Sequence, residues 1–144
     1  MRQVILVRKD LNMSSGKVAA QVSHASMAFL AAQIREKAVL QDTGYTASID
    51  IPANVYEDWF MGVFVKTVCE ARNRYQLMRA MWLAEDLGLQ EDRDFFLMRD
   101  YCLTETEPEE TDEDGKGRTL TCIGFRPLPD EIAHQISYKY HLYR

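Results

Sequence analysis

The sequence predicts an α/β protein: a three-layer arrangement, with a four-stranded mixed sheet carrying helices on both faces. Three observations predict it. Short β-branched or aliphatic runs occur at Val4–Val7, Trp59–Thr67, Asp94–Arg99 and Thr119–Phe125. Stretches with helical spacing of apolar residues separate the first three runs and follow the last. Strands alternating with helices indicate a mainly parallel or mixed sheet covered by helices. The 144 residues suit a single domain over 1–144, large enough to bury roughly 68–70% of its extended surface.

Each element has a local reason. Val4–Val7 reads as a buried strand ending at Arg8-Lys9-Asp10. Asn12 to Gly16 is a turn, with Ser14 and Ser15 as N-cap candidates. From Lys17 to about Lys37 the chain is Ala-rich, and Val18, Val22, Ala25 and Phe29 mark one buried helix face. Residues 41–57 contain Gly44 and Pro52 and read as a connection with a short helix near Ala53–Asp58. The second strand is placed at Trp59–Thr67. Glu70–Leu87 is a helix stopped by Gly88, a residue suited to the left-handed C-terminal position. Asp94–Arg99 and Thr119–Phe125 are neighbouring strands joined by an acidic loop at about 105–117. Pro127 and Pro129 introduce a last helix at about Asp130–Ser137.

Composition narrows the function. Apolar residues make up 47% of the chain and no run approaches a membrane span of roughly 20 residues. The apolar run at the N-terminus is too short for a signal-peptide core, so a cytoplasmic protein is expected. Cys69, Cys102 and Cys122 are scattered without a C-x-x-C pair and read as free thiols. The net charge of −5 is uneven. Glu105–Asp114 holds seven acids and no base; without it, 15 acids face 17 bases, about +2. A basic face for RNA is therefore compatible with the total charge. The acidic segment has two readings: a solvated mobile loop, or an electrostatic gate that repels or mimics RNA.

Lys17, Gln21 and His24 lie within about 60° of one another on the first helix. They form a polar line between small apolar flanks. Lys17 also sits in the first turn, where the helix dipole disfavours a cation, so a carboxylate or anionic ligand is expected beside it. The alternative is a solvated lysine, a neutral glutamine and a packed histidine. Ser-Ser-Gly-Lys also hints at a phosphate loop, but the G-x-x-x-x-G-K-[ST] spacing is absent. After the third strand, Arg99-Asp100-Tyr101-Cys102-Leu103-Thr104 offers a second cluster. Asp100 and Thr104 there can shape a turn or position water or a substrate carbonyl. His134 and His141 read as surface or packing residues, and a Cys102 nucleophile lacks a nearby histidine.

The string Met13-Ser-Ser-Gly-Lys17-Val-Ala-Ala-Gln21-Val-Ser-His24-Ala25 resembles the opening of the archaeal and eukaryotic type of peptidyl-tRNA hydrolase. That family carries M-x-x-G-K-x-A-A-Q-x-x-H-A after its first strand. Arg99-Asp100 followed by Thr104 resembles its R-D-A-G-x-T segment, and Thr119–Gly124 resembles its closing strand. Tyr101-Cys102 stands where the family has Ala-Gly, Leu103 replaces a basic residue, and the acidic stretch resembles an insertion. The resemblance implies hydrolysis of the ester joining peptide to tRNA, with no metal or organic cofactor, by a homodimer. It implies Lys17, Asp100 and Thr104 as catalytic residues, and Gln21, His24 and Arg99 as substrate-binding ones. On this reading Asp100 orients or deprotonates water and Lys17 or the helix start stabilises the oxyanion. The alternatives are an inactive RNA- or protein-binding module and a hydrolase of smaller esters or amides.

Overall fold

The computed structural model describes residues 1–144. Strand β1 (Gln3–Arg8) is buried along its whole length and forms the middle of the sheet. Both its faces are covered, which is why its apolar run is continuous and does not alternate. Val4 and Leu6 pack with Leu77, Ala80 and Ile136, whereas Ile5 and Val7 pack with Met13, Ala25 and Cys122. Helix α1 (Ser15–Lys37) follows, capped by the Ser14 hydroxyl, which accepts the Lys17 N–H. Its buried residues are Gln21, Ala25 and Phe29, with Val18 and Val22 half-buried.

The connection expected over 41–57 contains a small hairpin, β2 (Val39–Gln41) and β3 (Gly44–Thr46), followed by α2 (Ala53–Val55). The second strand departs from expectation. Trp59–Val63 belongs to a π-helical segment, Tyr56–Val63, and the strand β4 is Lys66–Ala71. A continuous apolar run does not distinguish strand from buried helix. Here tertiary packing decides: Trp59 is buried against Phe29 and Phe60, and its indole N–H donates to Val65 O at 2.9 Å. Helix α3 is Arg74–Asp86, shorter than Glu70–Leu87, because Glu70 and Ala71 pair with β1 and Asn73 caps the helix by accepting the Gln76 N–H. Strands β5 (Phe95–Asp100), β6 (Glu110–Thr111) and β7 (Gly117–Phe125) precede α4 (Asp130–Ser137) and β8 (His141–Leu142).

The mixed α/β class is as expected, but the main sheet has six strands, not four, in the order β5-β7-β1-β4-β8 with β6 also on β7. The two extra strands are two residues each and carry no hydrophobic alternation to announce them. β1 and β4 are parallel, while β7 runs antiparallel to both β1 and β5. β1 and β5 therefore point the same way. Their carboxyl ends, Arg8 and Asp100, meet at one edge of the fold with the start of β7. No helix is long and apolar enough to cross a membrane.

α1 lies close on β7. A Cβ built on Gly124 would stand 2.5 Å from Ala25 O and 2.8 Å from Ala25 Cβ. That approach sets the depth at which α1 sits. Gly124→Ala is expected to destabilise the protein by about 1–3 kcal/mol through overpacking, read as a lowered urea midpoint with an unchanged slope.

Candidate active site

Asp100 ends β5 and is buried, with its carboxylate turned toward α1. Four donors surround it. Lys17 Nζ lies 2.7 Å and Gln21 Nε2 3.1 Å from Oδ1. Cys102 N–H donates to Oδ2 at 3.1 Å, and the Thr106 hydroxyl donates to the same oxygen. Lys17 Nζ is also 3.2 Å from Thr104 Oγ1. Gln21 is held in turn by Thr121, whose hydroxyl is 2.7 Å from Gln21 Oε1 and 3.0 Å from Met98 O. Every buried side-chain polar atom has a partner.

Desolvation pushes the Asp100 carboxyl upward, but the hydrogen bonds from Lys17, Thr106 and Cys102 outweigh it and hold it below the ordinary carboxylate range. A carboxylate whose acceptor sites are already filled is a poor proton acceptor. The ammonium it positions has three N–H bonds, of which Asp100 and Thr104 take two.

The turn after Asp100 accommodates Tyr101-Cys102 where the resembled motif has Ala-Gly. Cys102 has φ 55°, in the left-handed region that favours glycine. Its backbone N–H on Asp100 forms a turn closed by the aspartate side chain. Its thiol touches Thr119 Oγ1 at 3.4 Å. The loop keeps a glycine-like backbone at a non-glycine residue.

The structure brings Lys17, Gln21, Asp100 and Thr104 together. It separates the other two residues singled out by the sequence. His24 is exposed and its imidazole makes no hydrogen bond within the chain; with Gln21 it lines a groove of about 880 Å³ between α1 and β5. Arg99 turns away from Asp100 and donates to Glu110 at 2.9 Å. Thr106 and Thr121 were not anticipated. Thr106 sits in a stretch whose acids dominate its appearance, and only the packing of α1 on β7 brings Thr121 to Gln21. No group of three or more His, Cys, Asp or Glu is placed to hold a metal ion.

The acidic segment is clamped to the body. Ser14 N–H and Oγ both bond Glu105, at 2.8 and 2.5 Å, which holds its carboxyl below its ordinary value. Glu109 pairs with buried Arg8, at 2.5 Å, and with Arg74. Glu110 pairs with Arg74 and Arg99, and Asp112 with Arg118. These four acids are therefore anchored to the body of the fold, while Glu105 and Glu109 stay exposed to solvent.

A profile of the family described as "Peptidyl-tRNA hydrolase PTH2" matches residues 1–143. The chain belongs to this family. Relatives named peptidyl-tRNA hydrolase include one from Methanopyrus kandleri, 34% identical over 137 residues, covering 94% of this chain and 92% of the relative. One from Thermococcus sibiricus is 30% identical over 140 residues, with the same coverage. Another, from Thermoplasma acidophilum, is 29% identical over 141 residues, covering 98% and 97%.

Three outcomes follow. The depressed carboxyl of Asp100 contributes stability that is present above its unfolded value, about pH 4, and is lost as pH falls through its lower folded value. Asp100→Asn should therefore show a flatter loss of stability than wild type between about pH 5 and pH 2 in urea titrations. Glu109→Ala removes a partner of buried Arg8 while Asp10 remains, and is expected to cost about 1–2 kcal/mol. Glu113→Ala, at an exposed position without a partner, should leave the urea midpoint unchanged.

Proposed function

We propose that the protein hydrolyses the ester between peptide and tRNA in peptidyl-tRNA, releasing the tRNA for reuse. The observation that carries this reading is the half-buried Lys17–Asp100 ion pair, whose carboxylate lines a groove, in a chain that belongs to this family. The relatives' names support the substrate.

Ester hydrolysis needs a water positioned on the carbonyl and charge stabilisation for the oxyanion that forms. Lys17 supplies the positive charge, with its third N–H available to the developing oxyanion. Asp100 keeps Lys17 charged and aimed; its filled acceptor sites assign it an anchoring role in place of proton removal. Thr104, exposed beside the ammonium, positions water or the substrate carbonyl through its hydroxyl. Gln21, itself held by Thr121, fixes the Asp100 carboxylate by donating to it. His24 and Arg99 act at the groove and its rim, outside the contact network. The work takes place in the cytoplasm, on a homodimer. Leu40, Tyr45, Met61 and Val63, exposed on the hairpin and the π-helical segment, support such self-association.

The test is release of tRNA from purified peptidyl-tRNA. Lys17→Ala and Asp100→Asn are each expected to lower kcat by about 100-fold or more, the scale of lost oxyanion stabilisation, with folding checked by circular dichroism. An inactive wild type, or full activity in both variants, overturns the reading. On the acid side the rate should fall only as pH drops below the ordinary carboxylate range, because protonating Asp100 releases Lys17.

A further inference from the structure

We propose that the peptide arm of the substrate is held as an added strand on the free edge of β5, running parallel to it. The inference rests on the peptidyl-tRNA reading and specifies how the peptide is recognised.

β5 closes one end of the sheet, pairing with β7 on one side only. Its backbone polarity can be followed residue by residue. Arg126 N–H donates to Asp94 O, so the even-numbered residues turn their polar groups toward β7 and the odd-numbered ones turn theirs outward. The outward groups of Phe95 are taken within the preceding turn: its N–H reaches Gln90 O at 3.3 Å and its carbonyl accepts from Asp92 N–H at 2.8 Å. The next outward residues, Leu97 and Arg99, face no strand. Exposure along β5 matches, since Leu97 and Met98 are half-buried and Arg99 exposed between buried Phe96 and buried Asp100. The open edge therefore offers two N–H groups and two carbonyls, and it stops at Asp100.

The space beside this edge is the groove of about 880 Å³, walled by Met27, Ala28 and Ala31 of α1 and by Phe96 and Met98 of β5. It is continuous with the Lys17–Asp100 contact, because Gln21 and Asp100 line its end. An ester whose carbonyl lies at Lys17 has one peptide substituent, and that peptide leaves the site along the groove. Its carboxyl end is at Asp100 and its amino end points toward Phe96, which sets the parallel direction. An enzyme that accepts peptides of any sequence needs contacts that ignore side chains. Main-chain pairing on a strand edge supplies them, and the small, flexible wall of Ala and Met tolerates varied side chains.

Parallel pairing fixes the pattern. With the ester-bearing residue opposite Asp100, its N–H meets Arg99 O. The third residue from the ester donates to Leu97 O and accepts from Arg99 N–H. The N–H of the second and fourth residues points away from β5. Recognition should alternate along the peptide with period two.

The experiment is a backbone N-methyl scan. Acetylated pentapeptidyl-tRNAs carrying one N-methyl group at the second, third, fourth or fifth residue from the ester are compared with the unmethylated substrate. Methylation at the third residue, whose N–H meets Leu97 O, is expected to lower kcat/KM roughly fivefold or more, the scale of one lost hydrogen bond, with the second, fourth and fifth positions within twofold, the fifth because Phe95 O is already taken by Asp92 N–H. A loss confined to the third residue supports the added strand. Turnover indifferent to every methyl group, or lowered equally at neighbouring positions, overturns it while leaving the hydrolase reading intact. Failure to cleave the unmethylated substrate overturns that earlier reading instead.

Discussion

Everything at the candidate site depends on keeping one carboxylate charged in a place that water scarcely reaches. Burial alone pushes the Asp100 carboxyl upward. It stays ionised because donors arrive from separate parts of the chain: Lys17 and Gln21 from α1, Cys102 from the turn, Thr106 from the start of the acidic segment. Each donor is itself constrained. Thr121 holds Gln21, and Glu105 holds the cap of the helix that carries Lys17. The carboxylate thus ties α1, β5 and the loop between β5 and β6 into one unit.

That unit requires β1 and β5 to point the same way, which they do because β7 lies antiparallel between them. The bulge between Met98 and Arg99 in the β5–β7 register lies beside Thr121, whose hydroxyl reaches both Met98 O and Gln21. Irregular pairing of this kind re-aims a side chain next to a site. Gly124 on the same strand permits the close seat of α1. β7 is therefore the scaffold of the site although it contributes none of the groups proposed to act on substrate.

Much of this was legible in the residues. The last helix, Asp130–Ser137, follows from two prolines, and β1 from its aliphatic run. The pairing of Lys17 with a carboxylate follows from a cation placed in a first helical turn. What escaped reading was set by tertiary packing. Trp59–Val63 is apolar enough for either a strand or a helix, and contact with Phe29 chose the helix. β6 and β8 are too short for periodicity. The polar line on α1 divides because Gln21 faces the sheet while His24 stays in the groove. The acidic segment looked solvated because its arginine partners, Arg8, Arg74, Arg99 and Arg118, lie scattered through the chain. Burial of Arg8 in particular makes those acids part of the fold, with its guanidinium held charged by Glu109 and Asp10 against the desolvation that opposes it.

The two ends of the sheet are treated differently. At one, the chain's own tail pairs with β4 through β8. At the other, only Leu97 and Arg99 remain open. An edge willing to take any backbone would also take a strand from a misfolded neighbour. Shortness is its protection: a turn seals Phe95 on one side and a charged, fully bonded aspartate ends it on the other. Two residues of opening match the proposed grip on a tethered chain, yet they are too few to nucleate sheet growth between molecules.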